Sequence, residues 1–167
     1  MSYYPILLDL QNERVVVVGG GKVGERKVIS LLKAKARVQL VSREITPLLR
    51  DLAQSSLIEY LGPEFREDLL DGAKIVIAAT DDEGLNRRIF EVCRQKGIWI
   101  NVVDDPSLCS FLVPSVIQRG SLILAVSTGG KSPAFSKFLR ETIEKILPKG
   151  IEPLLELMGL LRERVIG

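Results

Sequence analysis

Histidine is absent from the 167 residues and cysteine occurs only twice. The chain therefore lacks the commonest metal ligand, any histidine-based catalytic triad and the usual imidazole pH switch. Any proton transfer falls to a carboxylate, lysine, tyrosine or cysteine. Cys93 and Cys109 are isolated, without C-x-x-C spacing. They read as small buried apolar side chains, in keeping with a reducing compartment. No stretch approaches the ~18 consecutive apolar residues of a membrane-spanning helix. The opening Met1–Asp9 has no basic start and its apolar run is broken by Asp9, unlike a signal peptide. Charge of one sign is also missing: 23 Lys and Arg face 21 Asp and Glu, a net +2, with no concentrated basic face for tracking phosphates. The expectation is a soluble cytoplasmic protein with neither a nucleic-acid nor a membrane partner, and with no metal site.

What is present suits a folded domain. Hydrophobic residues make up 46% and charged residues 26%, within the globular range. A chain of this length holds one domain plus a small appendage and needs no disulfide or metal for stability. Arg14–Val18 is a β-branched run ending in Gly19, Gly20 and Gly21, the pattern of a strand buried on both faces of a parallel sheet. A helix from Lys22 to about Lys35 follows, with Val23, Val28, Leu31 and Leu32 inward and Glu25, Arg26, Lys33 and Lys35 toward solvent. Further strands are expected at 37–41, 57–60, 74–79 and 98–102, alternating with helices at 46–53 and 83–96. The alternation predicts an α/β fold: a Rossmann-type doubly wound parallel sheet with right-handed crossovers.

The pattern changes after Val103. Two extended runs, 110–118 and 121–127, meet at Arg119 and Gly120 as a hairpin. Ser132 and Pro133 open a helix carrying an apolar stripe of Phe135, Phe138, Leu139, Thr142, Ile143 and Ile146. Pro148 and Gly150 stop it, and a last helix from about Glu152 bears Leu154, Leu157, Met158 and Leu161. Three segments result: a dinucleotide-binding domain at 1–109, a small α+β region at 110–149 and a short C-terminal helical segment at 150–167. The α+β region is thin for independent stability, so an apolar face is expected to pack on the first domain or on a second subunit.

Gly19 to Gly24 matches G-x-G-x-x-G directly after a strand and at the start of a helix, which is where a pyrophosphate-binding turn must lie. Gly19 permits the tight turn, Gly21 lets the backbone approach the phosphates, and Gly24 lets helix and strand pack closely. The helix N-terminus adds unpaired N–H groups. Gly19, Gly20, Gly21, Lys22, Val23 and Gly24 are the candidate pyrophosphate contacts. Where an acidic residue would hold the adenosine ribose stand Ser42, Arg43 and Glu44. Glu44 suits NAD, whereas Arg43 equally suits a 2′-phosphate. At the ends of the fourth and fifth strands, Thr80, Asp81 and Asp82, then Val103 and Asp104, face the edge where such sheets bind ligands. Asp81 or Asp82 also suits a helix cap. No helix is expected directly after Asp104, because Pro106 breaks the backbone; its carboxylate would hang over the cofactor crevice. Ser127, Thr128, Gly129, Gly130 and Lys131 form a turn running into Ser132 and Pro133, suited to an anion or simply to a capped loop.

Together these motifs resemble the N-terminal module of the bacterial siroheme synthase family: Pro5 and Ile6; Val18 to Lys27; Ala78 to Asp82; Asn101 to Asp104; Ser110 and Phe111 with Pro114 and Ser115; and Ser127 to Pro133. The similarity covers nearly the whole chain. It implies a homodimeric precorrin-2 dehydrogenase using NAD, with its active site between the nucleotide domain and a dimerisation region. Some members also insert Fe²⁺ as sirohydrochlorin ferrochelatases. The family's essential aspartate falls on Asp104, and the Ser127 to Lys131 turn on its substrate-binding region. The competing reading is a non-catalytic dinucleotide-sensing module, which would have no need of Asp104 or the Thr128 to Pro133 turn.

Overall fold

A computed structural model describes residues 3–166 of the chain. The valine run forms β1 (Arg14–Gly20), buried from Val15 to Gly20. It pairs in parallel with β2 (Arg37–Ile45) on one side and β4 (Ile75–Ala78) on the other. β3 (Glu59–Gly62) continues the sheet beyond β2, and β5 (Trp99–Val102) continues it beyond β4, both in parallel. The order is β3-β2-β1-β4-β5, so chain direction across the sheet reverses between β1 and β4. That is the switch point at which ligands bind outside the strand ends.

Alternation along β1 divides the core in two. Val15 and Val17 join Val28 and Leu31 of α1 (Lys22–Lys33) and Leu49 of α2 (Pro47–Gln54). Val16 and Val18 join Ile89, Val92 and Cys93 of α3 (Glu83–Lys96) on the opposite face. The expected α/β sheet with helices on both faces is thus the fold observed. β2 runs four residues past the expected Val41, with a register shift that pairs Gly20 with Ile45. A 3-10 turn at Glu67–Leu70, too short to leave a periodic signal, buries Leu70. Arg14 pins it by donating to the carbonyls of Leu69 and Asp71.

The first compact unit reaches Leu112 and the second starts at Val113, slightly past the expected division at 109. Hydrogen bonding explains the difference: the Ser110 N–H donates to the Ile100 carbonyl at 2.8 Å, and Asn101 Nδ2 donates to the Phe111 carbonyl at 3.1 Å. Both residues are therefore tied to β5. In the second unit β6 (Ser115–Arg119) and β7 (Leu122–Val126) form an antiparallel hairpin. α4 (Pro133–Ile146) packs on it, and Ile117 is its fully buried hydrophobic residue. α5 (Ile151–Ile166) falls within this unit. The expected α4 stripe is split: Leu139 and Ile143 are half-buried, whereas Phe135 and Phe138 stay exposed. Among the described residues no helix is long and apolar enough to cross a membrane.

Candidate functional site

Each glycine of the β1–α1 turn meets a different steric demand. Gly19 has φ +113°, and a Cβ there would lie 2.2 Å from the Ala79 carbonyl oxygen. A Cβ on Gly24 would lie 2.0 Å from the Gly19 oxygen, so this residue sets how closely α1 meets β1. Gly21 has open space before it, with nothing within 4 Å of a Cβ. It is also the N-cap of α1 and brings no side-chain cap, which leaves the first N–H groups of the helix facing that space. A pyrophosphate fits this cradle: backbone N–H donors, a helix dipole and no side chain in the way.

Gly20 is the glycine whose role the motif does not announce. Its Cβ would fall 2.4 Å from the Glu44 carbonyl oxygen and 2.9 Å from Ser42 Oγ. Its N–H donates to Ser42 Oγ at 2.8 Å, and the Ser42 hydroxyl donates to the Glu44 carbonyl at 2.6 Å. Tyr60 OH adds a bond to the Ser42 carbonyl at 2.8 Å. Ser42 is therefore a brace between the glycine turn and the end of β2. Arg43 and Glu44 beside it are exposed.

Glu25 departs from its expected solvent position and is buried, at 9% exposure. Its carboxylate accepts from the Thr46 hydroxyl and pairs with Lys22 Nζ at 3.2 Å. The Thr46 bond, opposed by burial and aided by Lys22, holds the carboxyl below its ordinary range. Lys22 is consequently tied to its own helix, with Val23 half-buried beside it.

At the end of β4, Thr80 Oγ1 donates to Asn86 Oδ1 and Asn86 Nδ2 returns a bond to the Thr80 carbonyl, both at 2.8 Å. Asn86 is buried on α3; an inward-facing polar residue at helical spacing was the signal for it. Asp82 is the helix cap, accepting from Leu85 N–H at 2.9 Å. Asp81 stays exposed, with no hydrogen bond or ion pair among the described residues.

Asp104 leaves β5 with φ +64°, a left-handed conformation for which aspartate and asparagine are the best suited non-glycine residues. Before it, Val103 donates its N–H to the Ala78 carbonyl at 2.9 Å and packs into the α1-side core. After it comes a short 3-10 turn, Pro106–Leu108, capped by Asp105, where a plain break was expected. The Pro106 ring starts this turn because its fixed φ suits a first helical position. Cys109 closes the loop: its Sγ meets Val102 N, Val102 O and Asp105 O, each at 3.2 Å. Burial pushes this thiol up. Asp104 itself is exposed and its carboxylate has no hydrogen bond or ion pair among the described residues.

In the second unit, Gly129 and Gly130 take φ +63° and +83°. The turn they make is largely self-satisfied. Thr128 Oγ1 accepts from the Ser132 N–H at 2.9 Å, Ser127 Oγ accepts from the Gly129 N–H at 3.1 Å, and Ser132 Oγ caps Phe135. Lys131 alone projects an uncommitted side chain, exposed and without an ion pair among the described residues. Among those residues no group of three or more His, Cys, Asp or Glu could hold a metal ion. Two surface grooves, one beside Lys74 and Trp99 and one beside Arg37 and Tyr60, open where the strands begin, at the edge opposite the glycine turn.

Comparison with known proteins agrees with this geometry. Residues 6–115 match a family described as putative NAD(P)-binding, and residues 119–146 one described as sirohaem biosynthesis protein central. The chain is 42% identical over 156 residues to siroheme synthase 1 of Klebsiella pneumoniae subsp. pneumoniae, covering 93% of this chain and 33% of that protein. It is 44% identical over 165 residues to siroheme synthase 1 of Aeromonas salmonicida, covering 99% and 35%. The chain thus spans about a third of the length of these relatives. The solved structure of SirC, precorrin-2 dehydrogenase, superposes with a TM-score of 0.78 at 23% identity, covering 92% of this chain and 76% of that one. That likeness is one of fold. With a glycine cradle shaped for a pyrophosphate and residues 6–115 inside its family model, the chain belongs to the family described as putative NAD(P)-binding.

Proposed function

We propose that the protein is an NAD-dependent dehydrogenase that oxidises precorrin-2 to sirohydrochlorin, with Asp104 as the base. One observation carries the reading: an exposed, unpartnered carboxylate stands at the same sheet edge as the pyrophosphate cradle, at the exit of the strand next to the switch point. The relatives' names, siroheme synthase and precorrin-2 dehydrogenase, supply the substrate class. When bound, NAD accepts the hydride. The chain's own residues hold and orient it: Gly19 to Gly24 at the pyrophosphate, Ser42 and Arg43 toward the adenosine ribose, and Thr80, Asp81 and Val103 along the nicotinamide side. Loss of two hydrogens from the tetrapyrrole releases a hydride and a proton, and Asp104 takes the proton.

Preference for NAD over NADP rests on Glu44, exposed at the end of β2 where a ribose hydroxyl would be bound. The Ser127 to Lys131 turn receives substrate carboxylates, chiefly through the free Lys131. Fe²⁺ is read as a second substrate for insertion into sirohydrochlorin, since the macrocycle supplies the metal ligands and needs only a base such as Asp104 to collect its pyrrole protons. The exposed Phe135 and Phe138 on α4 support a homodimer, and the two isolated cysteines, without C-x-x-C spacing, support a cytoplasmic location. The deciding experiment incubates the chain with precorrin-2 and either NAD or NADP and follows sirohydrochlorin absorbance. Formation with NAD is expected. Tight dinucleotide binding without any oxidation would favour the sensing module instead.

A further inference from the structure

We propose that Glu25 is a positioning residue for the dinucleotide: by accepting a hydrogen bond from Thr46, its buried carboxylate holds the corner between β2 and α2, residues 42–46, against the glycine turn. The inference rests on reading that turn as the dinucleotide cradle.

Glu25 is the one charged side chain among the described residues that is buried. Burying a carboxylate is unfavourable even when it is paired, and an apolar side chain of similar size would fill the same place without that penalty. Glu25 also stands on the first turn of the helix that turns its N–H groups toward the phosphates, where a negative charge works against the ligand. Neither stability nor charge complementarity explains its presence. Its contacts do.

Three bonds fasten the corner. The Gly20 N–H donates to Ser42 Oγ at 2.8 Å, the Thr46 N–H donates to the Gly20 carbonyl at 3.1 Å, and the Thr46 hydroxyl donates to the Glu25 carboxylate. The first two tie the corner to the turn itself. The third ties it to α1, the helix whose N-terminus faces the phosphate space. Thr46 can do this while capping α2, because its oxygen accepts from the Leu49 N–H at 3.3 Å and its proton is left for Glu25. Lys22 Nζ, 3.2 Å from the same carboxylate, offsets the buried charge. Arg43 and Glu44, the exposed residues at the adenosine ribose side, lie inside this corner. Phosphate cradle and ribose side are therefore held in fixed relation before the cofactor arrives, and binding need not order one against the other.

The test is a double-mutant cycle read as NAD affinity by calorimetry. It compares the wild type, Glu25→Met, Thr46→Val and the pair, with Thr46→Ser as the variant that keeps the hydroxyl; Glu25→Ala replaces Glu25→Met should the longer side chain not pack. Each single loss should weaken NAD binding about tenfold, the scale of one hydrogen bond to a charged group. The pair should bind no more weakly than the weaker single variant, and Thr46→Ser should bind like the wild type. Wild-type affinity in Glu25→Met overturns the proposal, as does a Thr46→Ser as weak as Thr46→Val. Losses that add in the pair also overturn it, because Thr46 would then act through the α2 cap alone. Amide hydrogen exchange without cofactor reads the clamp itself: in Glu25→Met the Thr46 N–H should exchange at least about tenfold faster, while Val16 and Val76 in the sheet keep their wild-type rates. An unchanged Thr46 rate overturns the clamp. A wild type that bound no NAD while this contrast held would overturn the dinucleotide reading, and the positioning role with it, but would leave the link between α1 and the corner standing.

Discussion

The carboxylate of Glu25 and the hydroxyl of Thr46 are hydrogen-bonded, joining the first turn of α1 to the N-cap of α2. Thr46 serves two partners, since its Oγ1 also accepts from Leu49 N–H at 3.3 Å. The bond clamps the two helices that flank β2 beside the glycine turn. Because it favours the ionised form, Glu25 titrates below its unfolded value. Its contribution to stability is therefore full above the ordinary carboxylate range and is lost as pH falls through the lowered folded value. In Glu25→Gln, urea unfolding measured from pH 7 down to pH 3 should lose less stability on acidification than the wild type. An identical pH slope in the two proteins would show that the carboxylate is not clamped in solution.

Gly21 and Gly24 should separate binding from folding. Nothing lies within 4 Å of a Cβ on Gly21, and its φ is an ordinary −74°. Gly21→Asp should therefore keep wild-type stability to within ~0.5 kcal/mol while abolishing NAD binding, because a side chain and a negative charge would enter the pyrophosphate space. Gly24→Ala, with its Cβ driven to 2.0 Å from a carbonyl oxygen, should cost about 1–3 kcal/mol of stability, as overpacking does. Thermal unfolding and calorimetric NAD titration of both variants check the contrast. Unchanged NAD affinity in a folded Gly21→Asp would mean that the loop is only a turn.

Why some of this was legible in the sequence and some was not follows from where each signal resides. The Val15–Val18 run, the Gly19, Gly21 and Gly24 spacing, a cap at Asp81 or Asp82, of which Asp82 is the one used, and the Ser132 cap are local patterns. Each is readable as residue types at a fixed spacing, even where the contact that demands it is distant, as Ala79 is from Gly19, and the structure carries them. Glu25 looked solvent-facing because charge alone argues so; its burial depends on Thr46, 21 positions away. Ser42 read as a ribose contact, and its bond to Gly20 emerges only once β2 extends beside β1. The α4 stripe was visible as a periodicity, but periodicity cannot tell which half the hairpin covers and which half is left exposed.

That exposed half motivates the dimer. Phe135 and Phe138 are 51% and 60% exposed, with ring centroids 6.3 Å apart, and α5 adds exposed Leu154, Leu157 and Met158. An apolar surface of this kind is normally covered by a partner. Light scattering at micromolar concentration should give twice the chain mass, and Phe138→Asp should shift the protein toward the monomer. A wild-type monomer under these conditions would rule out pairing through this face.

Asp104→Asn is the sharpest test of the proposed chemistry. At φ +64° an alanine would be strained, whereas asparagine adopts the left-handed region at least as readily as aspartate. The substitution is nearly isosteric, and the carboxylate it removes has no hydrogen bond or ion pair among the described residues. The loop held by Cys109 should therefore survive, and NAD affinity should stay at the wild-type value, since Gly21 and the α1 N-terminus do not involve Asp104. If Asp104 takes the substrate proton, dehydrogenation should fall by ~10²–10⁴-fold, the usual cost of removing a general base, with the loss in kcat and not in cofactor binding. Single-turnover oxidation of precorrin-2 beside calorimetric NAD titration separates the two. A variant that oxidised precorrin-2 at close to the wild-type rate would make Asp104 a loop residue only, and would direct the search for the base to Asp81, whose carboxylate is also exposed and unpartnered among the described residues, before Asp105, which is already engaged with Ser107.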